Sequence, residues 1–163
     1  KLAQDYLGFS KWRKDRLGVI SSRIFNTLGQ NQPDNLVPMT FIKQLLKVKA
    51  GVSDRLKVGN TSSRRDFVDV RDIVRAFDAL MKRGQQGEVY NVGSGNDVSI
   101  QEIIDKLLII SGLNIPIESV NERVQTIDVP CVRADISKIA EKAGWQPKIT
   151  LDESLETMWN QAE

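Results

Sequence analysis

The spacing of apolar residues predicts helices and strands that alternate along the chain. In several segments apolar residues recur three and four positions apart, which is the spacing of one helix face. These segments begin near Leu2, Pro38, Asp69, Ser99, Asp135 and Thr150. Short runs that resemble strands lie between them, at 19–26, 56–60, 88–95 and 115–120. Strands that alternate with helices indicate an α/β fold.

Capping residues and glycines predict where the helices begin and end. Ser99 with Glu102, and Thr150 with Glu153, have the spacing of capping boxes, and Asp69 is a suitable cap as well. Glycines follow the predicted helices as stop signals, at positions 18, 51, 84, 112 and 144. The helix after Asp69 is expected to carry one apolar stripe, made of Ile73, Val74, Phe77, Leu80 and Met81.

The run Val19–Asn26 is predicted to be a strand that is buried on both faces and therefore needs neighbours on each side. The remaining sequence offers too few strands of this kind to provide both neighbours. The first helix is also already under way at Lys1, with no capping residue before it. These two features lead us to expect a fragment of a larger protein.

Composition narrows the classes of function. The chain has 163 residues, 40% of them hydrophobic, which is enough for one domain with a core but not clearly for two. Lys and Arg number 23 and Asp and Glu 21, a net charge of +2, whereas nucleic-acid binders usually carry a concentrated basic face. No apolar run approaches the roughly 20 residues that span a bilayer. We therefore expect no nucleic-acid partner, no membrane span and a cytoplasmic location.

The chain has no histidine and one cysteine, Cys131. This composition argues against zinc and most transition-metal sites and excludes histidine-based triads within the chain. Cys131 is expected to be a small buried residue rather than a nucleophile, because no histidine is present to activate it. Acid–base chemistry must therefore use carboxylates, Lys, Tyr or a group outside this chain.

Four motifs occur in an order and spacing that together are more specific than any one of them. They are RIFNTLGQNQ, RRDFVDVRDIVRAF, EVYNVGSGNDVSIQEI and the closing DVPCVRADISKIAEKAGWQPKITLDESL. In these motifs the chain resembles the extended short-chain dehydrogenases, the family of nucleotide-sugar epimerases, dehydratases and reductases. The resemblance implies a Rossmann fold, with residues 1–30 ending the Rossmann domain and 31–163 forming mainly the substrate domain. Residues 66–110 would return in part to the Rossmann sheet.

Within this family the chain most resembles the reductases of GDP-4-keto-6-deoxyhexoses. The similarity lies in three segments: VDVRDIVRAF, the preceding GNTSSRRDF and the later DVP. The implied activity is therefore an NAD(P)H-dependent reduction of a nucleotide-diphosphate sugar. A 4-epimerase or 4,6-dehydratase of the same family, and a non-catalytic nucleotide sensor on the same scaffold, are the alternatives. The resemblance also implies a homodimer.

The family's catalytic pair is Tyr-x-x-x-Lys. In the family, the sequence that begins at this lysine is often similar to KLAQDYL, the first seven residues here. The resemblance therefore implies that Lys1 is the catalytic lysine, which would also hold the nicotinamide ribose of NADP or NAD. An ammonium beside a phenol stabilises phenolate and lowers the tyrosine pKa. The chain contains no Tyr-x-x-x-Lys and no glycine-rich phosphate loop, so most of the cofactor site is expected upstream. An ordinary exposed lysine is the alternative.

The resemblance further implies a set of substrate contacts: Asn26, Val37, Phe41, Asn60, Arg65 and Arg123. Arg65 would grip the diphosphate through two donors of its guanidinium, and Arg64 is the competing candidate. The family often has a second diphosphate-binding arginine at the position where this chain has Gln125, and Arg123 would take its place. The alternatives to substrate binding are structural roles: Asn26 would form a turn, the Val37–Phe41 loop would pack against a helix, and the arginines would be solvated on the surface.

Overall fold

The computed structural model describes residues 1–120 and 129–163. In these ranges the helices are α1 (Leu2–Asp15), α2 (Met39–Lys49), α3 (Val70–Arg83), α4 (Ile100–Ser111), α5 (Ser137–Ala143) and α6 (Leu151–Ala162). The strands are β1 (Ser21–Ile24), β2 (Asn26–Leu28), β3 (Leu56–Val58), β4 (Arg64–Asp69), β5 (Val89–Val92), β6 (Asp97–Ser99), β7 (Ile117–Ser119) and β8 (Cys131–Val132). The predicted α/β class is confirmed.

Most of the strand pairs are parallel. Strand β1 pairs with β5, and β3 pairs with β7, both in the parallel sense. Strand β4 has the most partners among the described strands, since it is parallel to β2 and β8 and antiparallel to β6. This strand carries the RRDFVD motif, so the motif lies where three other segments of the chain meet.

Strand β4 also separates two hydrophobic cores. Phe67 belongs to the larger core, which packs α2, α4 and α6 around β3. The next residue, Val68, belongs to the second core, which packs α3 and α5 against β5. Successive side chains of a strand point to opposite faces, so adjacent residues of β4 contact different cores.

The predicted capping residues and terminal glycines are confirmed at several helices. Ser99 and Thr150 accept hydrogen bonds from the backbone N–H groups of Glu102 and Glu153, and each glutamate returns a bond, which completes both capping boxes. Helices α4 and α5 end at glycines in the left-handed conformation, with φ of 68° and 62°. Helix α1 differs, because it ends at Arg16 with φ of 58° rather than at Gly18.

The run 19–26 was expected to be one strand buried on both faces, and this is wrong. Two strands, β1 and β2, occupy this region and are separated at Phe25. The two strands have different partners, since β1 pairs with β5 whereas β2 pairs with β4. Within the described residues β1 is paired along one edge, and its Arg23 and Ile24 are exposed.

The stripe predicted on α3 is also only partly buried. Ile73 and Leu80 are in the core, but Val74, Phe77 and Met81 are 61%, 41% and 85% exposed. The buried face is completed by two alanines and by a carboxylate instead. Their small size lets α3 approach β5 and α5, and this contact decides which side of the helix is covered. Cys131, expected to be buried, is exposed on β8.

Three carboxylates spaced three residues apart, Asp66, Asp69 and Asp72, are buried at the β4–α3 junction. Each binds a segment that lies much later in the chain. Asp69 accepts a hydrogen bond of 2.7 Å from the hydroxyl of Ser154 on α6. Asp72 accepts one of 2.9 Å from the backbone N–H of Ile149, and the contacts of Asp66 are described below. Buried carboxylates need such donors, because burial without them carries a large desolvation cost.

The environment of Asp69 predicts how stability changes in acid. Burial raises the pKa of Asp69, but hydrogen bonds from Arg71 and Ser154 outweigh it, so the pKa lies below its ordinary 3.8. A carboxyl whose pKa is lower in the folded state stabilises the fold above its unfolded-state pKa, and this stabilisation is lost as pH falls through the folded-state value. Asp69→Asn should therefore flatten the dependence of unfolding free energy on pH below about pH 4.

Urea unfolding at a series of pH values measures this effect. Asparagine is also a good helix cap, so the substitution removes the charge with little loss of capping at α3. Ser154→Ala removes one donor to Asp69 and should give a smaller change of the same sign. If the unfolding free energy changes with pH below about pH 4 in the same way in Asp69→Asn and in the unsubstituted protein, this account is contradicted.

Candidate functional site

A cavity of about 820 Å³ opens between β2, the start of α2, the β3–β4 connection and β4. Five residues implied by the sequence line it together: Asn26, Val37, Phe41, Asn60 and Arg65. They come from four separate parts of the chain, so their convergence is a property of the fold. The volume is that of a typical small-molecule site.

The polar floor of the cavity is set by β2 and β4. Asn26, at the start of β2, donates a hydrogen bond of 2.8 Å from Nδ2 to the backbone carbonyl of Asp66. Arg65 donates from Nη1 to the carbonyl oxygens of Arg64 and Val129, at 2.8 and 2.7 Å. Strand alternation turns the Arg65 side chain toward the cavity, and these two backbone oxygens help to hold its guanidinium there.

Arg64 lies on the other side of β4. Its guanidinium donates to Asp97 at 2.5 Å and to Glu102 at 3.1 Å. The hydrogen bond with Asp97 raises the pKa of Arg64, and the same contact lowers the pKa of Asp97. Arg64 is thus engaged with two carboxylates outside the cavity, whereas Arg65 lines it.

The apolar wall of the cavity is part of the larger core. Phe41 is buried on the first turn of α2, and Val37 packs against the same core just before this helix. Phe67 and Ile100 continue the wall from β4 and α4. The two interpretations of the Val37–Phe41 loop therefore coincide geometrically, since the residues that pack α2 also offer apolar surface to the cavity.

Sequence reasoning missed several polar residues of this cavity. Gln32 and Asp34 reach it from the turn after β2, and Ser63 reaches it from the approach to β4. Gln32 donates from Nε2 to the carbonyl of Thr27 at 2.5 Å, which closes this turn onto β2. None of these residues belongs to a periodic pattern, and the Pro33 between Gln32 and Asp34 was the available signal of a turn.

Two predicted residues remain, Lys1 and Arg123. Lys1 is exposed at the start of α1 and is not among the described residues that line the cavity. Helix α1 is tied to β1 by Asp5, which accepts a hydrogen bond of 2.5 Å from the hydroxyl of Ser21. This bond lowers the pKa of Asp5. Arg123 lies outside the residues that the structure describes.

The helices in residues 1–120 and 129–163 include none that is long and apolar enough to cross a bilayer.

Comparison with known proteins identifies the family. Residues 1–158 match the family model described as GDP-mannose 4,6-dehydratase, and the chain belongs to this family. The chain is 34% identical over 138 residues to the GDP-6-deoxy-D-mannose reductase of Pseudomonas aeruginosa, covering 84% of this chain and 45% of the relative. It is 30% identical over 162 residues to the UDP-glucose 4-epimerase of Caenorhabditis elegans, covering 87% and 45%.

Solved structures agree with this assignment. The structure of RMD from Pseudomonas aeruginosa complexed with NADPH matches with a TM-score of 0.92 and 31% identity, covering 99% of this chain and 54% of that one. A UDP-glucose 4-epimerase from Thermotoga maritima with UDP-glucose matches with a TM-score of 0.89 and 25% identity, covering 99% and 51%. The resemblance seen in the sequence motifs is confirmed. The chain spans about half the length of these relatives.

Proposed function

We propose that this chain is the sugar-nucleotide-binding part of an NAD(P)H-dependent reductase that acts on a GDP-4-keto-6-deoxyhexose. The observation that carries the proposal is the convergence of Asn26, Val37, Phe41, Asn60 and Arg65 on one cavity. An apolar wall beside a polar floor with a guanidinium suits a base and a diphosphate, respectively. The Pseudomonas aeruginosa relative, a GDP-6-deoxy-D-mannose reductase, supports the choice of sugar.

In this proposal the chain contributes mainly positioning. Arg65 and Asn26 hold the diphosphate and the adjacent sugar, and Val37 and Phe41 pack against the base. A substrate that is fixed at its diphosphate presents its keto carbon in one orientation, and such positioning can lower a barrier by several kcal/mol, up to roughly 7–11 in favourable cases. Arg123 remains the proposed second phosphate ligand.

NADPH or NADH would supply the hydride that reduces the keto group. The described residues fit only a small part of such a cofactor, because the chain has no glycine-rich phosphate loop of the dinucleotide-binding form. Lys1 is exposed, and in the proposal it holds the nicotinamide ribose. There it would also stabilise the phenolate of a tyrosine four residues upstream on the same helix face, so that this tyrosine exchanges a proton with the substrate oxygen. The complete enzyme is proposed to be a cytoplasmic homodimer.

The decisive experiment is a screen of the complete protein against GDP-, UDP- and dTDP-linked sugars, with loss of nicotinamide absorbance as the signal. A GDP-4-keto-6-deoxyhexose should be reduced with the highest kcat/KM. Interconversion of UDP-sugars without net loss of NAD(P)H would favour a 4-epimerase instead, a reaction named for the Caenorhabditis elegans relative. Nucleotide binding without turnover of any sugar would favour a sensor.

The contrast between two adjacent arginines tests the binding site. Arg65→Ala should raise the Kd for GDP about 10- to 100-fold, because a charged hydrogen bond contributes roughly 1.5–3 kcal/mol. Arg64→Ala is the matched control, since the same residue type is removed one position earlier, where it contacts Asp97 and Glu102. The Kd of Arg64→Ala for GDP should stay within about threefold, because Arg64 and its two carboxylate partners are not among the residues that line the cavity. Calorimetric titration measures both, and equal Kd values in the two variants would contradict the assignment of Arg65.

A further inference from the structure

Asp66 is a fully buried carboxylate beside Arg65 on β4, and the proposed reaction makes no use of it. Its Oδ1 accepts hydrogen bonds of 2.7 Å from both the backbone N–H and the hydroxyl of Ser94. Its Oδ2 accepts bonds of 3.0 Å from the backbone N–H groups of Gly95 and Ala134. The carboxylate therefore joins three segments that are far apart in sequence: β4, the turn after β5 and the residues after β8.

These segments meet without spare room. A Cβ atom at Gly93 would lie 2.5 Å from the Cβ of Ala134 and 2.9 Å from Oδ2 of Asp66. Atoms at such distances overlap, so glycine is the residue that permits this approach. The geometry around Asp66 is thus closely packed as well as hydrogen-bonded, which leaves the carboxylate one position.

The segment 129–134 is fastened to β4 at both of its ends. At one end Arg65 donates from Nη1 to the carbonyl of Val129, and at the other the N–H of Ala134 donates to Asp66. Between these ends β8 runs parallel to β4. One of the oxygens that orient the Arg65 guanidinium, the carbonyl of Val129, therefore belongs to a segment whose far end is held by the Asp66 carboxylate.

Asp66 also contacts Asn26, another polar residue of the cavity floor. Its backbone carbonyl accepts the hydrogen bond from Nδ2 of Asn26. One residue thus links Asn26 directly and Arg65 through the segment 129–134. The bond with Asn26 uses the backbone carbonyl, which is present whatever side chain stands at position 66. The carboxylate of Asp66 therefore acts on the cavity through Arg65, and productive binding depends on the direction of that side chain.

We propose that Asp66 is a positioning residue for the diphosphate site. Its carboxylate fixes the segment 129–134 and thereby aims the Arg65 guanidinium at the diphosphate of the nucleotide sugar, which deepens the proposed function and rests on it. A carboxylate suits this position because four donors converge on it and both of its oxygens accept. An amide would direct its own NH₂ group at two of these donors.

The test compares two isosteric substitutions in the complete protein, Asp66→Asn and Asp72→Asn. Both residues are fully buried acceptors of backbone N–H groups, but Asp72 holds Lys148 and Ile149 and not the segment 129–134. Both substitutions should lower the Tm. Asp66→Asn should raise the Kd for GDP about tenfold, whereas Asp72→Asn should leave it within about twofold.

A double-substitution cycle separates positioning from general loss of structure. If Asp66 acts through Arg65, Asp66→Asn should have no further effect on the Kd for GDP in an Arg65→Ala background. The proposal is overturned if folded Asp66→Asn binds GDP like the unsubstituted protein, or if it weakens binding equally in both backgrounds. An unsubstituted protein that binds no nucleotide diphosphate overturns the proposed function itself, and the inference with it.

A measurement on the unsubstituted protein covers the case in which Asp66→Asn does not fold. Coupling between two sites is reciprocal, so bound GDP must stabilise the hydrogen bond from the N–H of Ala134 to Asp66 if that bond favours the binding of GDP. Amide hydrogen exchange at Ala134 should slow when GDP is added, and this slowing should be absent in Arg65→Ala. Exchange at Ala134 that does not respond to bound GDP overturns the proposal.

Discussion

Replacement of Lys1 by methionine should lower the kcat of the complete enzyme about 10²- to 10⁴-fold, the usual range for loss of a group that supports proton transfer. Methionine keeps most of the length of the side chain and removes the ammonium group. In our proposal Lys1 stabilises the phenolate of a tyrosine four residues upstream, and this stabilisation near neutral pH would be lost. The Kd for GDP should change little, because Lys1 lies outside the cavity that holds the nucleotide sugar in our proposal.

Lys11→Met is the matched control for this experiment. Lys11 lies on the same helix, is exposed and contacts Asp15 across one turn. Its substitution removes the same charge from α1 and should leave kcat within about twofold, because exposed pairs of this kind contribute little. A Lys1→Met enzyme that retains kcat, or a Lys11→Met enzyme that loses it to the same extent, would refute the assignment of the catalytic lysine.

The largest loss of stability among simple truncations is expected in the larger core. Ile104 on α4 is completely buried between α2 and α6, and Ile104→Ala should lower the free energy of unfolding by roughly 2–5 kcal/mol. The cost combines lost apolar burial with the cavity that remains. Ile109 provides a matched control on the same helix, because it is 79% exposed. Ile109→Ala should change the unfolding free energy by less than about 0.5 kcal/mol.

Urea unfolding of both variants, with two-state behaviour checked by two probes, measures this difference. The comparison cancels helix propensity, since both substitutions replace isoleucine by alanine within α4. Equal destabilisation by the two substitutions would show that α4 packs with a different face toward α2 and α6.

Signals that act within a few residues could be predicted from the sequence. Both capping boxes and the terminal glycines of α4 and α5 depend on contacts inside one turn, and they form as expected. The covered face of α3 could not be predicted in this way. Val74, Phe77 and Met81 are as apolar as Ile73 and Leu80, and only the positions of β5 and α5 distinguish the two sets.

The division of the run 19–26 into two strands could not be predicted from local sequence either. Its composition is typical of a strand, but the break at Phe25 arises because β5 and β4 draw its two halves apart. That divergence depends on pairings with residues more than 40 positions away, as in the pairing of Asn26 with Phe67. No pattern within the run itself records it.

The candidate site could be anticipated to the extent that motifs carried it. The motifs supplied Asn26 and Arg65, but the choice between Arg64 and Arg65 stayed open. Alternation along a strand assigns neighbours to opposite faces without saying which face is which. The assignment requires Asp97 and Glu102, which follow Arg64 by 33 and 38 positions in the chain.

The buried carboxylates at the β4–α3 junction have a consequence for how the chain tolerates change. Asp66 and Asp72 bind main-chain N–H groups at positions such as 95, 134, 148 and 149, and every residue except proline supplies such a group. The side chains of Lys148 and Ile149 can therefore change while the bonds to Asp72 persist, whereas close packing against Gly93 restricts the residue at position 134. Chimeras that exchange residues 129–163 between relatives should therefore keep this junction when loop lengths are preserved.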